Sequence, residues 1–150
     1  MNIFITPLGL SYGALYSGIL LTQPDHVIVL TSEQAAQNVS TVVEAARKIH
    51  PNFTVEVHTI SDPFVGFVDG RRLASELAHR LHTSSAHQYT VSLTGGTTAL
   101  QDAAKCLADL LGAREIALVD RRSIDEQRAN PLVVGELVEI PPAYHNKKPA

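Results

Sequence analysis

The sequence lacks the features that would form disulfides or cross a membrane. It has a single cysteine, Cys106, so no intrachain disulfide can form. No stretch reaches the roughly 18 consecutive apolar residues of a membrane span, and the N-terminus lacks the basic segment of a signal peptide. We therefore expect a cytoplasmic protein without a membrane span, in which Cys106 is a core or near-core thiol on a helix.

The sequence also lacks an excess of positive charge. Its formal net charge is −3, which argues against binding of long DNA or RNA along a broad track of phosphates. A small, local site for an anion is still compatible with this charge.

Several motifs of known chemistry are missing as well. There is no G-x-S-x-G nucleophile elbow and no complete Walker motif, and Gly9 and Gly13 do not have the spacing of a dinucleotide fingerprint. His79 and His82 share a predicted helix face with Glu76, but no cysteine or third close ligand completes a zinc set. A solvated face is the better interpretation, and we expect neither a metal nor a cofactor.

What the sequence does contain is the alternation of strands and helices of one α/β domain. Its 150 residues, 45% of them apolar, are enough for one core. The order βαβαβαβαβ predicts a Rossmann-like, doubly wound and mainly parallel sheet. Predicted strands cover residues 2–5, 26–30, 54–60, 89–93 and 115–119, with an edge strand or hairpin arm at 133–140. We expect the domain to span residues 1–140, and residues 141–150 to form a flexible tail or the start of a linker.

The helices are predicted from apolar residues that recur every three or four positions. They cover residues 14–21, a segment that begins with a capping box at Thr31 and Gln34, residues 69–82, and a segment that ends at Gly112. The helix after Thr31 has one apolar face, formed by Ala35, Val39, Val42, Val43, Ala46 and Ile49. Residues 83–85 are a predicted loop.

Residues 94–100 follow the fourth predicted strand and lead directly into a helix. Gly95 and Gly96 allow the backbone to approach a ligand, and the N–H groups that open the helix can bind an anion. Thr97 and Thr98 add hydroxyls at the helix cap. A tight turn without a ligand is the alternative, because short glycine motifs are weak evidence alone.

Three polar or glycine-rich loops follow predicted parallel strands: residues 6–13, 94–98 and 120–122. Ligands of such sheets bind beyond the carboxyl ends of the strands, at a switch point. The convergence of three loops is therefore stronger evidence for a site than any one motif.

Two of these loops resemble the CARF domain, the CRISPR-associated Rossmann fold. The matching stretches are TPLGLSYGAL after the first strand and LTGGTTAL after the fourth. The resemblance implies a homodimer that binds a cyclic oligoadenylate, such as cyclic tetra-adenylate, across its two-fold axis in type III CRISPR signalling. Some family members are ring nucleases that cut this messenger. The chain departs from the family pattern at Thr98, where many members have lysine, and at Tyr12, where proline is frequent.

The resemblance and the loops together define the candidate site. The expected ligand-binding residues are Leu8, Gly9, Leu10, Ser11, Tyr12, Gly13, Thr94, Gly95, Gly96, Thr97, Thr98, Arg121 and Arg122. Tyr12 is suited to stacking on adenine, and Arg121 and Arg122 to pairing with phosphate or adenine.

The candidate catalytic residues are Ser11, Thr97 and Thr98. Cleavage of an RNA ring needs no metal if the ribose 2′-OH attacks the adjacent phosphorus and the protein stabilises charge on the phosphoryl oxygens.

Two further functions remain open on the sequence alone. A receptor that senses or sequesters cyclic oligoadenylate without cutting it is favoured by Thr98 in place of lysine. An unrelated α/β protein that binds a small phosphate compound is the other.

Four further sites on the chain are assigned simpler roles. We expect His26 to be structural, Asp62 to be a turn residue, and His58 to lie on an exposed strand face rather than in a site. The pair at residues 71–72 is either a solvated helix start or part of the rim of the ligand site.

Overall fold

The fold is a three-layer α/β sandwich, seen here in a computed structural model that describes residues 1–82 and 86–142. The predicted loop at 83–85 and most of the predicted tail at 141–150 lie outside the described residues. The strands are β1 (Asn2–Leu8), β2 (His26–Thr31), β3 (Thr54–Thr59), β4 (Gln88–Ser92), β5 (Arg114–Val119) and β6 (Glu136–Ile140). The helices are α1 (Gly13–Thr22), α2 (Glu33–Ala36), α3 (Val39–Arg47), α4 (Phe67–Leu81), α5 (Thr98–Leu111) and α6 (Ile124–Ala129).

The six strands form one sheet in the order β3-β2-β1-β4-β5-β6. The first five run parallel, and β6 pairs antiparallel with β5. The predicted Rossmann-like, doubly wound, mainly parallel sheet with a C-terminal edge strand is confirmed. The chain order reverses between β1 and β4, so the switch point of the sheet lies there.

Alternate residues of the central strands feed two cores, because successive strand side chains point to opposite faces. Ile5 of β1 and Ile28 of β2 pack with α4 and α5 on one face. Phe4 and Val27 pack with α1 and α3 on the other face. Both faces of the central strands are therefore covered, which explains the uninterrupted apolar run in β2. As predicted, Cys106 on α5 is half-buried against the first core.

The structure corrects the prediction of one continuous helix after β2. The chain forms two helices, α2 and α3, with a break at Gln37 and Asn38. The predicted cap was wrong, because the Ser32 hydroxyl, not Thr31, accepts the hydrogen bond from the Ala35 amide at 3.2 Å. Thr31 belongs to β2, and its hydroxyl donates to the Leu8 carbonyl at 2.7 Å.

The other predicted boundaries need smaller corrections. Because α3 ends at Arg47, Ile49 lies beyond it and is 66% exposed, whereas it was predicted to share the buried helix face. β1 continues to Leu8, so Thr6 is a buried strand residue rather than the start of a loop. The helix α6 was not predicted, and the part of 133–140 that forms a strand is Glu136–Ile140. None of the helices in the described ranges combines the length and apolarity needed to cross a bilayer.

Glu56 joins three elements at the β3 edge of the sheet. Its two carboxylate oxygens lie 2.7 Å from His26 Nε2 and 2.6 Å from His58 Nε2, and Arg80 of α4 donates to it at 2.7 Å. Burial raises the pKa of Glu56, but the hydrogen bonds from His26, His58 and Arg80 outweigh it and lower the pKa from 4.5 to about 2. Both histidines therefore have structural partners here.

This cluster predicts a specific acid sensitivity. Since the pKa of Glu56 is lower in the folded state, the ionised carboxylate stabilises the fold above pH 4.5, and this contribution is lost as the pH falls toward about 2. Glu56→Gln should lower the melting temperature at neutral pH and flatten its decline over that range. Glu44→Gln, at an exposed position of α3, is the control and should change neither. An identical acid profile for wild type and Glu56→Gln would contradict this account.

Candidate ligand-binding site

The loops that follow β1, β4 and β5 meet at the carboxyl edge of the sheet. β1 and β4 are neighbours, and β5 pairs with β4. The contact between the first loop (residues 9–12) and the double-glycine turn (residues 93–97) is made by backbone. A Cβ added to Gly9 would lie 3.0 Å from the Gly96 Cα, and one added to Gly95 would lie 3.3 Å from the Pro7 carbonyl oxygen. A side chain at Gly9 would push the two loops apart.

The double-glycine turn is shaped to present amide groups. Gly95 has φ of 100° and Gly96 has φ of 74°, values that favour glycine. Among the residues that the structure describes, the N–H groups of Gly95, Gly96 and Thr97 have no hydrogen-bond acceptor. Successive backbone amides in such a turn form a concave site for an anion, here at the N-terminus of the 14-residue helix α5.

A cavity of about 430 Å³ opens between these loops and α6. We call it the carboxyl-edge cavity. Six of the residues expected to bind ligand line it. They belong to the segments that follow β1 and β4: Leu10, Ser11, Tyr12, Gly13, Thr94 and Gly95. The remaining lining residues are Ala14, Ser17, Leu118, Val119, Asp120, Ile124, Gln127, Arg128 and Pro131.

Other expected site residues lie outside this lining. Leu8 is the last residue of β1 and is buried in the core, and Gly9 is packed against Gly96. The Thr97 hydroxyl caps α5 by accepting from the Leu100 amide at 3.3 Å, and it also donates to the Pro63 carbonyl. Both bonds are structural, so the Thr97 hydroxyl is already committed in this arrangement. Thr98 is the first residue of α5 and is exposed.

The arginines at the end of β5 are both engaged with carboxylates. Arg121 pairs with Glu136 of β6. Arg122 donates to both oxygens of Asp120, at 3.0 and 2.8 Å. Hydrogen bonds from the Arg122 side chain and backbone hold the pKa of Asp120 below its usual value. Either arginine would have to leave its carboxylate before it could bind a phosphate through the same donors.

Ser11 and Tyr12 occupy different environments although they are adjacent. Ser11 is exposed at the cavity, and its hydroxyl has no hydrogen-bond partner within the described part of the chain. Tyr12 is half-buried at the N-terminal cap of α1 and packs against the second core. Ser11 is therefore the hydroxyl of the first loop that can meet a ligand without breaking an existing bond.

Sequence reasoning missed the wall formed by α6. Ile124, Gln127 and Arg128 of this helix line the cavity. A signal was present, since Ser123 and Glu126 have capping-box spacing, and both reciprocal hydrogen bonds are formed. Ser17 of α1 was missed too; its hydroxyl accepts from the Gly135 amide at 2.9 Å and donates to the Val133 carbonyl at 3.4 Å.

The side chains that suggested other sites have structural partners or are solvated. Arg71 donates to Asp102 at 2.8 and 2.9 Å, and Arg72 pairs with Asp69 at 3.1 Å. Across the residues with described structure, no three His, Cys, Asp or Glu side chains are grouped closely enough to hold a metal ion.

Solved structures of known proteins share this architecture. Can2 from Sulfobacillus thermosulfidooxidans, solved in complex with cyclic tetra-adenylate, matches 79% of the chain with a TM-score of 0.65 and 15% identity. Csm6 from Enterococcus italicus, bound to cyclic hexa-2′-fluoro-hexa-dAMP, matches 95% with a TM-score of 0.71 and 16% identity. A type III CRISPR defence DNA nuclease activated by cyclic oligoadenylate matches 77% with a TM-score of 0.62 and 22% identity.

The chain has the fold of these proteins. The resemblance to the CARF domain is therefore confirmed for the fold. The chain spans 32%, 42% and 18% of the lengths of Can2, Csm6 and the DNA nuclease, so it corresponds to one part of each. No protein-family model and no curated protein matches the sequence.

Proposed function

We propose that the chain is a cytoplasmic CARF-type domain that binds cyclic oligoadenylate, in particular cyclic tetra-adenylate, across the two-fold axis of a homodimer in type III CRISPR signalling. The observation that carries the proposal is the backbone contact between the first loop and the double-glycine turn, beside a cavity at the switch point. The fold shared with proteins solved in complex with cyclic oligoadenylates supports the choice of ligand.

The chemistry of such a ring matches the groups at this edge. Its phosphates are anions, and the amides of Gly95 and Gly96 are donors without acceptors in the described chain. Its adenines are flat, partly apolar bases that need surfaces to pack on and polar groups for their edges. The carboxyl-edge cavity offers Leu10, Tyr12 and Ile124 together with polar side chains.

A two-fold ligand requires an isologous dimer, because each subunit then supplies the same groups. An exposed apolar turn beside the site is the surface that we assign to this contact. Asp62 accepts from the Phe64 amide at 2.9 Å and the Val65 amide at 3.2 Å, and this holds the turn in place. Phe64, Val65 and Val68 are 76%, 72% and 70% exposed, and the Thr97 bond to the Pro63 carbonyl links them to the double-glycine turn.

The ligand is tested by incubation with labelled cyclic tetra-adenylate and hexa-adenylate, with linear tetra-adenylate as the control. We expect a cyclic form to bind more tightly than the linear one, since the ring presents its phosphates with two-fold symmetry. Linear products would identify a ring nuclease, and retention of the intact ring would identify a sensor or a sponge. Absence of binding to both rings would reject the proposed function and favour the smaller phosphate ligand.

The dimer is tested by Val68→Glu, which places a charge in the apolar turn. The substitution should raise the dimer dissociation constant by about tenfold or more, a cost near 1.4 kcal/mol, as measured by sedimentation. Folding should be preserved, because a carboxylate in the first turn of α4 is favourable. Ile49→Glu is the matched control, since Ile49 is 66% exposed beyond α3. A wild-type monomer with and without ring, or an equal effect of both variants, would remove this surface from the interface.

Cleavage of the ring is the second candidate function, and the free hydroxyl of Ser11 favours it. In-line attack by a ribose 2′-OH on phosphorus develops charge on the phosphoryl oxygens. The P–O5′ bond to the next nucleotide breaks, and the 5′-oxygen gains a proton as the 2′-OH loses one. A linear oligoadenylate with a 2′,3′-cyclic phosphate and a 5′-OH results. A hydroxyl beside the phosphate stabilises that charge or holds the ribose in line. Thr98 also carries an exposed hydroxyl at this edge, whereas the hydroxyl of Thr97 is bonded to Pro63 and Leu100.

Ser11→Ala separates a catalytic role from a binding role. Loss of one donor to the transition state should lower the single-turnover cleavage rate by about 10²-fold, while the affinity for the ring changes much less. Ser40→Ala, at an exposed position of α3, is the control for removal of a hydroxyl elsewhere. If Ser11→Ala cleaves within about threefold of the wild-type rate, well under a tenfold change, Ser11 has no catalytic role.

A further inference from the structure

Arg128 differs from every other arginine of the chain in its contacts. Seven of the eight arginines donate to a carboxylate or a carbonyl. Their acceptors are Phe53 for Arg47, Asp102 for Arg71, Asp69 for Arg72, Glu56 for Arg80, Glu139 for Arg114, Glu136 for Arg121 and Asp120 for Arg122. Within the described ranges 1–82 and 86–142, Arg128 has no hydrogen bond or ion pair. Its guanidinium donors are therefore available to a ligand.

Arg128 also determines the charge of the carboxyl-edge cavity. Of the described residues that line it, two carry a charge at neutral pH, Asp120 and Arg128. The Asp120 carboxylate is already bound through both oxygens by Arg122. The cavity is therefore left with one uncompensated positive charge, although the whole chain has a net charge of −3.

The helix that carries Arg128 is hydrogen-bonded to the loop that follows β5. Ser123 and Glu126 form its capping box. Gln127 donates to the backbone carbonyls of Asp120 at 3.3 Å and Arg122 at 2.9 Å. Because these bonds precede Arg128 in the chain, they fix the helix without using its side chain. The guanidinium is presented at the cavity by a fixed backbone, which lowers the ordering cost of binding.

We propose that Arg128 binds a phosphodiester of the nucleotide ligand and supplies the cationic contact of this site, in place of Arg121 and Arg122. The planar guanidinium donates two parallel hydrogen bonds to a phosphate, which a single amide cannot do. Arg128 on α6 and the amides of the double-glycine turn then contact phosphate from two sides of the cavity. The identity of the ligand in this inference rests on the proposed function. The chemistry of the contact, an arginine with a phosphate, does not.

The test compares Arg128→Ala, Arg128→Lys and Arg114→Ala by calorimetric titration with cyclic tetra-adenylate and with 5′-phosphorylated linear tetra-adenylate. Arg128→Ala should weaken binding by about 10-fold to 100-fold and reduce the salt dependence of the dissociation constant. Arg128→Lys should recover part of the affinity, because the charge is kept and the fork is lost. Arg114→Ala removes an arginine that is ion-paired with Glu139 at the start of β5, the edge of the sheet opposite the cavity, and should bind within about twofold of wild type. Equal melting temperatures show that the variants are folded.

The outcomes separate this inference from the proposed function. Arg128→Ala binding within about twofold of wild type would overturn the inference while leaving the ring as the ligand. If the wild-type protein binds the linear but not the cyclic probe, the ring is not the ligand. The loss of affinity for the linear probe in Arg128→Ala then decides the role of Arg128. A wild-type protein that binds neither probe overturns both.

Discussion

The arrangement of the site depends on one steric constraint, the contact of backbone with backbone between Gly9 and Gly96. A Cβ on Gly9 would lie 3.0 Å from the Gly96 Cα, closer than side chains normally pack. This contact lets the loops after β1 and β4 close against each other at the switch point. The turn at Gly95 and Gly96 then exposes its amides beside the cavity, and the Thr97 hydroxyl caps α5 directly after it. A larger residue at Gly9 would separate these features.

The distribution of charged side chains also limits what the proposed site can bind. Ion pairs occupy Arg71 on α4, Arg114 on β5, and Arg121 and Arg122 at the end of β5, so these four side chains are not free to bind an anion. In the proposed site, anion recognition then falls to backbone amides and to a side chain from α6. Such a site favours a ligand with a few phosphates in a defined geometry over a long polyanion, which binds through many cations.

The sequence was informative where local chemistry decides the structure. Apolar runs predicted four of the parallel strands, alternation of apolar and polar residues predicted β3, and the two glycines before Thr97 predicted the turn. The break between α2 and α3 was not predictable, because Gln37 and Asn38 are compatible with a helix and the apolar period continues across them. The helix α6 has six residues and none is buried, so it has no apolar period, and its capping box was its only local signal. The pairing of Arg121 with Glu136 joins residues 15 apart and follows from the antiparallel register of β5 and β6.

Ser17 has a consequence that extends beyond the cavity. Its side chain lies in the cavity wall, and its hydroxyl bonds the backbone of residues 133 and 135, directly before β6. A ligand that displaced Ser17 would break these bonds to the backbone before β6. By reciprocity, a shift of that backbone would then change the affinity of the cavity for the ligand by the same free energy. The last strand of the sheet can in this way transmit the state of the cavity to whatever contacts it.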